Sequence, residues 1–533
     1  MDWLRSKELR LQLTSIQQWI QTAKSSKYHF HYTSSVRVPT SIWEDIRLEE
    51  WLQQHLPLQS YSEFAAALIR APIDNIAQLK QRQAVLNTFK TPHPALLSPT
   101  IEADLQWFLS TPVIDKNYLF KVLFPGSWYL RWVKLHPELL RLYQWYSVYF
   151  TTASSLLYPI SILFGPFWIL RFKMGFPLTL KGYFEMLFKL IHLFKTDLKQ
   201  VGGLLVYCGF YLYSLIQNID LSFQLHRLRS TLLQKIQCVY QLVQRVKRLG
   251  KRRWWAPYDE ELHLEPLDIK ANLFWAYRLL SRPDLQARLF GYFKVAVIYD
   301  TLHHIANIGY PLIQYGPQTY FYHMCNPALG KSQVANPLKL QKGLIVSGPN
   351  AGGKTTYVKS LLWNILLGQS FGIAYCSKGA LKPYDAILHH HRVKDVVGDQ
   401  SLFQAEMAKI KEALACLKDC RSVIYFMDEP LHSTHPIDGA AMLKALLYYL
   451  GTQDNCSVIV TSHYFSIQTV PGYTNVSVRA VMNARIYFDY KIYPGPSQQT
   501  IGIELLRQDD FPPRMLESAV KLKNKIYART INV

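Results

Sequence analysis

A phosphate-binding loop is the clearest chemical motif in the sequence. Residues 347–356 read SGPNAGGKTT. The apolar run GLIVS leads into the loop, and the segment TTYVKSLLWNILLG, which is predicted to be a helix, follows it. This order of strand, loop and helix is typical of a Walker A motif, whose backbone amides and helix N-terminus face phosphates. The motif therefore predicts a site for ATP. The candidate nucleotide-binding residues are Gly348, Pro349, Asn350, Ala351, Gly352, Gly353, Lys354, Thr355 and Thr356.

Side chains at the ends of two later apolar runs could act on the phosphates. Asp428 and Glu429 end the run SVIYFMDEP, as in a Walker B strand, and His463 ends the run SVIVTSH. We predict that Thr355 and Asp428 hold Mg²⁺, and that Lys354 reaches the β and γ phosphates. Glu429 is expected to orient or deprotonate the attacking water, and His463 to contact that water or the γ phosphate. The acidic pair could instead end its strand in a solvated turn, and a lone histidine is usually structural.

The elements that must position these residues change in character along the chain. From about residue 320, short segments with high β propensity alternate with predicted helices, which indicates an α/β domain. Residues 1–130 read as polar helices. Between 225 and 249 the apolar residues are spaced by three and four, which predicts a long amphipathic or coiled-coil helix. They are Leu225, Leu228, Leu232, Ile236, Val239, Val243 and Val246.

Two uncharged runs lie between these regions. Residues 142–170 carry no charge over a length that suffices to cross a bilayer, and residues 200–219 form a second, marginal run. They predict transmembrane helices and a membrane-associated protein with its ATPase domain in the cytosol. The alternative is a pair of buried helices in a soluble intracellular protein, favoured by Pro159, Gly165 and Pro166 within the first run.

The charge of the chain predicts a polyanionic partner. Its 59 Lys and Arg exceed its 37 Asp and Glu, giving a formal net charge of +22. An anionic membrane and nucleic acid both fit this excess, and the stretch RVKRLGKRRWW at 245–255 suits either.

The seven cysteines are scattered, which favours a reducing compartment and argues against structural zinc.

Several motifs together resemble the MutS family of DNA mismatch repair ATPases. GPNAGGKTTYVKS resembles that family's phosphate loop, and DQSLFQAEM resembles its Ser-Thr-Phe-x-x-Glu-Met segment, with matches at Ser401, Phe403, Glu406 and Met407. MDEPLHSTHPIDG, TSHYF and the closing TIGIELL follow in the family's order. An N-terminal stretch with Arg70, Pro72, Arg82 and Gln83 is similar to the family's lever segment.

The resemblance implies a fold and a domain order. The expected fold is an α/β P-loop NTPase domain of the ABC type at the C-terminus, preceded by an all-α lever region with transmembrane helices. The expected boundaries are 1–130 for the helical lever or core region, 131–220 for the hydrophobic insert, 221–318 for the helical basic arm and the segment that leads back to the lever core, and 319–533 for the ATPase domain. The resemblance also implies a homodimer in which Ser401 approaches the nucleotide of the other subunit.

Departures from the family pattern bear on function. No Phe-x-Glu tripeptide occurs, and the mismatch-reading domain is expected to be missing, so mismatch-specific binding is not expected. Cys325 and Asn326 stand before Pro327 where the family has a histidine-proline pair. The leading hypothesis is a membrane-associated, Mg²⁺-dependent ATPase similar to MutS that couples dimer closure to the lever. The alternative is a soluble repair or recombination factor that clamps DNA with its basic arm. A transporter-type ATPase is disfavoured because the sequence lacks a Leu-Ser-Gly-Gly-Gln signature.

Overall fold

The computed structural model describes ten segments of the chain. They are residues 36–90, 94–110, 118–125, 128–193, 198–249, 264–390, 402–482, 485–497, 499–509 and 511–530. The described residues form two compact units. The first contains described residues of 96–249 and 264–293, and the second contains those of 36–95 and 294–530.

Helices and strands are numbered in chain order. The α-helices are α1 Ser41–Asp45, α2 Leu48–His55, α3 Gln59–Arg70, α4 Ile76–Thr88, α5 Pro99–Ser110, α6 Tyr118–Leu123, α7 Pro137–Trp145, α8 Thr151–Trp168, α9 Leu180–Leu193, α10 Leu198–Leu249, α11 Leu273–Ser281, α12 Pro283–Ala306, α13 Lys354–Ser370, α14 Leu402–Asp419, α15 Pro436–Thr452, α16 Gly502–Gln508 and α17 Pro513–Thr530. The strands are β1 Gln314–Tyr315, β2 Thr319–Met324, β3 Asn336–Leu340, β4 Gly343–Ser347, β5 Lys378–Leu381, β6 Ala386–His390, β7 Val423–Asp428, β8 Cys456–Thr461, β9 Tyr473–Met482 and β10 Ile486–Pro494.

The described part of the first unit is helical, and its longest element is α10. The apolar residues predicted to line one face of this helix are buried, except that Leu228 is half-buried. Beside this face, the ammonium of Lys235 pairs with the carboxylate of Asp104 on α5. The predicted amphipathic helix is therefore confirmed, and it begins further upstream than its apolar spacing indicated, at Leu198.

The predicted localisation at a membrane is wrong. Within the described segments, no single helix is both long enough and apolar enough to cross a bilayer. One pair, Pro137–Ser155 with Leu157–Lys173, passes only when the two helices are combined, and it is bent by 58°. The uncharged run at 142–170 thus does not form one straight helix. The run at 200–219 is part of α10, and this helix continues beyond the run through a segment that contains charged residues. This finding also removes the support for an anionic membrane as a partner.

The second unit is built around a six-stranded sheet in the order β10-β9-β4-β8-β7-β6. Neighbours from β9 to β6 are parallel, and β10 pairs antiparallel with β9. The central strands β4 and β8 are buried at every position, as expected when helices cover both faces of a parallel sheet. A smaller sheet in the order β1-β5-β2-β3 lies in the same unit. The predicted α/β domain from about residue 320 is confirmed.

Helices α1 to α4 also belong to the second unit and pack against α13. The ammonium of Lys359 bonds to the carbonyl of Asp45 at 3.0 Å, and the indole nitrogen of Trp363 donates to the carbonyl of Ile46 at 3.0 Å. At the other end of α13, a guanidinium nitrogen of Arg82 donates to the carbonyl of Ser370 at 2.7 Å. The N-terminal helices thus contact both the middle and the end of the helix that follows the phosphate loop.

Candidate active site

The phosphate loop leaves the sheet at the carboxyl end of its central strand. β4 lies between β8 and β9 and is parallel to both. In open α/β sheets, ligands bind at this edge, outside the carboxyl ends of the strands. The hydroxyl of Ser347 donates to the carbonyl of Val476 at 3.3 Å and accepts from the amide of Ser497 at 2.8 Å. These bonds hold the start of the loop against β9 and the segment after β10.

The glycine that opens the loop is required by its surroundings. Gly348 has a φ of +132°, and a Cβ there would lie 2.4 Å from the carbonyl oxygen of Val478. Any side chain would therefore push the loop away from β9. Further along, Ala351 has a φ of +63° and Gly353 has a φ of +93°. This left-handed backbone leads directly into α13, whose N-terminus favours bound anions.

The side chain of Lys354 lies inside the loop. It is only 4% exposed, and its ammonium donates to the carbonyls of Gly348 at 3.0 Å and Pro349 at 3.2 Å. The same nitrogen lies 3.5 Å from the Oε1 atom of Glu429 and 3.3 Å from the Nε2 atom of His463. The structure therefore brings together the three side chains for which the sequence predicted catalytic roles.

The two predicted Mg²⁺ ligands are in direct contact. The hydroxyl of Thr355 lies 3.1 Å from each carboxylate oxygen of Asp428. On the other side, the hydroxyl of Thr461 donates to Asp428 at 2.6 Å. A hydroxyl and a carboxylate at the mouth of a phosphate loop form a hard oxygen donor set of the kind Mg²⁺ prefers. The residues present therefore fit this ion, and Thr461 is a neighbour that sequence reasoning missed.

Glu429 and His463 form a close carboxylate and imidazole pair. The Oε1 atom of Glu429 and the Nε2 atom of His463 are 2.6 Å apart. Glu429 has a φ of +47°, and its amide donates to the hydroxyl of Thr461 at 3.0 Å. Backbone strain of this kind persists only where surrounding contacts hold it, and it is concentrated at active sites. Here the held turn directs the carboxylate toward the phosphate loop and the imidazole.

The loop after Glu429 is fixed by a buried carboxylate. Glu406 on α14 accepts a 2.5 Å hydrogen bond from the hydroxyl of Ser433, and its Oε1 atom lies 3.5 Å from the imidazole of His432 and 4.0 Å from that of His390. Burial acts to raise the pKa of Glu406, but the contacts from His390, Ser433 and His432 outweigh it, so that this pKa lies below its ordinary value. The two histidines and Ser433 were not singled out from the sequence.

An open cavity of about 480 Å³ lies beside the phosphate loop. Residues 349–357 form one wall, and Leu329, Val334 and Tyr490 contribute apolar surface. The ring of Tyr490 lies over Gly353, since a Cβ on that glycine would be 3.1 Å from the ring. Tyr490 stands at an irregularity between β9 and β10, with a φ of +54°. The side-chain amide of Asn336 holds this bulge, donating to the Tyr490 carbonyl at 2.9 Å and accepting from the Ile492 amide at 2.8 Å.

Most predicted site residues lie around this cavity. Asn350, Ala351, Gly352 and Thr356 line it. Asn326 also lines it, and its side chain accepts from the amide of Ala328 at the start of a short 3₁₀ helix. Ser401, predicted to act on the nucleotide of a second subunit, lies outside the described residues.

The matches with known proteins cover about a third of the chain, and the family-model match includes the phosphate loop. Residues 344–527 match the model of the family described as MutS domain V. The DNA mismatch repair protein MutS of Lactobacillus helveticus is 28% identical over 207 residues, which are 37% of this chain and 24% of that protein. The protein of the same name from Geobacillus sp. is 28% identical over 185 residues, which are 34% of this chain and 21% of that protein. The one from Listeria monocytogenes is 27% identical over 206 residues, or 37% and 24% of the two chains.

These matches cover less than a quarter of the length of each relative. The residues matched by the family model include the phosphate loop, the Asp428 and Glu429 strand end and His463. Residues 344–527 thus match domain V of the MutS family, and this match supports a divergent relationship of the chain to that family.

Proposed function

We propose that this chain is a Mg²⁺-dependent ATPase of the MutS type. One observation carries the proposal: Lys354, Glu429 and His463 lie within 3.5 Å of one another, beside the contacting pair of Thr355 and Asp428. A site that only bound phosphate would need the loop and the lysine. A carboxylate and an imidazole next to the loop add groups that can act on water.

The loop and α13 are proposed to bind the triphosphate of ATP. Backbone amides of 349–353 and the helix N-terminus supply donors and partial positive charge. Lys354 adds a full charge at the point where its ammonium now bonds to the loop carbonyls. Mg²⁺ held by Thr355 and Asp428 would neutralise charge on the β and γ phosphates.

Glu429 is proposed to orient the attacking water and accept its proton. Its carboxylate is held in place by the strained backbone at position 429 and by the 2.6 Å contact with His463. His463 is proposed to position this carboxylate and the water. With 41% of its side chain exposed, the imidazole can reach a substrate in the open site.

The ring of Tyr490 is proposed to stack on the base of the nucleotide. It is half exposed, lies over Gly353 and faces the same cavity as the phosphate loop. A base that stacks on an aromatic ring gains about 1–3 kcal/mol. Leu329 and Val334, which line the same cavity, would add apolar contact.

The N-terminal helices are proposed to act as the lever. Arg82 and Gln83 on α4 bond to carbonyls at the end of α13, namely those of Ser370 and Gly372. A shift of α13 on nucleotide binding would therefore be passed to α4. The family relationship further suggests a homodimer in which Ser401 of one subunit reaches the nucleotide of the other.

Phosphate release from ATP by the full-length chain tests the proposal. Turnover should require Mg²⁺ and should be lost in Lys354→Ala and Glu429→Gln. Lys521→Ala and Glu517→Gln, at exposed positions on α17, serve as charge-matched controls and should retain activity. Equal turnover in the two site variants and their controls would exclude the proposed chemistry.

DNA binding is a second candidate function. The net charge of +22 favours a polyanion, and the matched relatives bear the name DNA mismatch repair protein. Helix α10 ends in the basic stretch that contains Arg245, Lys247 and Arg248. Duplex binding that weakens steeply with salt, and less steeply after these three residues are changed to glutamine, would support this function. Salt-independent binding, or none, would exclude it.

A further inference from the structure

Two thiols are in contact at the end of α14, away from the phosphate loop. The Sγ atoms of Cys416 and Cys420 are 3.4 Å apart, and both thiols are free. Cys416 lies in the last turn of the helix, and Cys420 follows its final residue. The side-chain amide of Asn455 donates to the carbonyls of Leu417 at 2.9 Å and Cys420 at 2.7 Å, which fixes this end of the helix.

The separation of the two cysteines allows a disulfide. Residues four apart on a helix are separated by about 6 Å along the axis, within the ~4.4–6.8 Å between Cα atoms that a disulfide spans. Because Cys420 stands just beyond the helix, closing the bond needs only local adjustment of the last turn. The two sulfur atoms already face each other.

A cation lies beside the first thiol. A guanidinium nitrogen of Arg37 is 3.9 Å from the Sγ atom of Cys416, and the contact raises the pKa of Arg37 above its ordinary value. The backbone of Arg37 is fixed at the sheet edge by hydrogen bonds of 2.9 Å with Asp385 and Ile387. The same guanidinium nitrogen lies 3.6 Å from the carboxylate of Asp419. Of the two cysteines, Cys416 is half-buried and lines a cavity, whereas Cys420 is buried, so an incoming disulfide reaches Cys416 first.

The second thiol, that of Cys420, has the properties of a resolving thiol, which reacts only after the first has formed a mixed disulfide. The pKa of Cys420 is raised to about 11, mainly by burial and next by the hydrogen bond and charge of Cys416. Cys420 thus keeps its proton while Cys416 is reduced. Once Cys416 has reacted, these two contributions are gone and Cys420 can ionise more easily.

Cys416 opens onto a cavity large enough for a small molecule. The cavity measures about 570 Å³, within the range of small-molecule sites, and Arg37, Lys409 and Tyr425 also line it. The hydroxyl of Tyr425 is buried and has no hydrogen-bond partner among the described residues. Tyr425 is only 2% exposed, so this hydroxyl lies within the wall of the cavity and is not itself accessible to a bound molecule.

We propose that Cys416 and Cys420 form a dithiol site that reacts with low-molecular-weight disulfides bound in this cavity. The thiolate of Cys416 attacks one sulfur of the small disulfide, forms a mixed disulfide and releases the other half as a thiolate, which takes up a proton. Cys420 then loses its proton and attacks the Sγ atom of Cys416, and the second half leaves as a thiol. In total, the protein dithiol is oxidised by two electrons and one small disulfide is reduced to two thiols.

Peptide mapping after exposure of the full-length chain to glutathione disulfide tests this reaction. Trypsin separates the two cysteines, because it cleaves after Lys418. The expected product is a pair of peptides, 412–418 and 419–421, joined by a disulfide that dithiothreitol removes. In Cys420→Ser the expected product is one glutathione attached to Cys416, since the second step is blocked.

Cys208 provides an internal control, because it is an exposed thiol outside this site. Cys416 should react at least about tenfold faster than Cys208, as expected when the disulfide is bound in the cavity beside the attacking thiol. Equal rates at the two cysteines would overturn the proposal. The absence of the joined peptides from the oxidised wild-type chain would also overturn it, whatever the variant shows.

Discussion

The Nε2 atom of His463 lies 2.6 Å from the Oε1 atom of Glu429, where the carboxyl ends of β7 and β8 meet. This contact joins residues that are 34 positions apart in the sequence. The strands that carry them are parallel neighbours, with Asp428 opposite Thr461 in the register. The pair can therefore act as a unit in which the imidazole fixes the position of the carboxylate.

Removing the charge of Glu429 should abolish turnover without abolishing nucleotide binding. We expect Glu429→Gln to lower kcat by about 10²–10⁴-fold, because a proton acceptor is lost while the loop is unchanged. His463→Ala should lower kcat by a smaller factor, since it removes only positioning. Phosphate release gives kcat, and a fluorescent ATP analogue reports binding. If Glu429→Gln lost binding in proportion to turnover, a structural role for this carboxylate would explain the data better.

The hydroxyl of Thr355 should set the Mg²⁺ requirement. In Thr355→Val the donor to Asp428 is lost at nearly constant volume, and the Mg²⁺ concentration for half-maximal turnover should rise about tenfold, equivalent to ~1.4 kcal/mol. Thr355→Ser keeps the hydroxyl and is the matched control. A Mg²⁺ titration of ATP turnover compares the three proteins, and identical curves would argue against this ligand.

The spacing of the motifs predicted which residues would meet at the site. Gly348, Lys354 and Thr355 follow a spacing that needs one strand, one turn and one helix, so local sequence sufficed. Asp428 and His463 end apolar runs, and parallel strands bring such ends to one edge. In these cases a local pattern and a simple topological rule led to the observed geometry.

Other features depend on contacts between distant residues and were not predictable in this way. Tyr490 reaches the loop through an irregularity in the pairing of β9 with β10, which no spacing in the sequence indicates. The contact of Glu406 with His390 and His432 joins three separate elements. The membrane prediction failed because the absence of charge says nothing about whether a run forms one straight helix, and the run at 142–170 does not.

The ring of Tyr490 should govern affinity for the base. Tyr490→Ala should raise the KM for ATP by about 5- to 150-fold, corresponding to a stacking energy of ~1–3 kcal/mol, and should leave kcat nearly unchanged. Tyr490→Phe keeps the ring and should behave as wild type. Tyr487→Ala removes an exposed ring from the same strand and is the control. An equal effect of the two alanine variants would place the base elsewhere.

The contact between Gly372 and Gln83 should stabilise the junction of α4 with α13. Gly372 has a φ of +75°, and a Cβ there would lie 2.3 Å from the Cγ atom of Gln83. Gly372→Ala should therefore destabilise the fold by about 2–4 kcal/mol, combining a left-handed backbone cost of ~1–2 kcal/mol with the clash. Denaturant unfolding measures the change.

Two further variants separate these contributions. Gly472 has a φ of +81° with no described atom within 4 Å of the added Cβ, so Gly472→Ala should show the backbone cost alone. Gln83→Ala removes the clashing side chain, and the double variant with Gly372→Ala should be less destabilised than the sum of the single changes. Simple additivity in this cycle would contradict the predicted clash.

The buried Glu406 should make part of the stability depend on pH. Glu406→Gln should lower the free energy of unfolding at neutral pH by about 1–3 kcal/mol, because the hydrogen bond from Ser433 and the contacts of His390 and His432 with a charged carboxylate are weakened. The pKa of Glu406 is lower in the folded state than its ordinary value of 4.5. The stabilisation is therefore present above that ordinary value and is lost as the pH falls through the lower folded value.

The difference in the free energy of unfolding between wild type and Glu406→Gln should accordingly become smaller as the pH is lowered. Denaturant unfolding at several values from about pH 7 to about pH 4 and below follows this change. Glu412→Gln, at an exposed position on the same helix, controls for the general effect of removing a carboxylate. A difference that stayed constant over the whole range would show that Glu406 acts through packing and not through its charge.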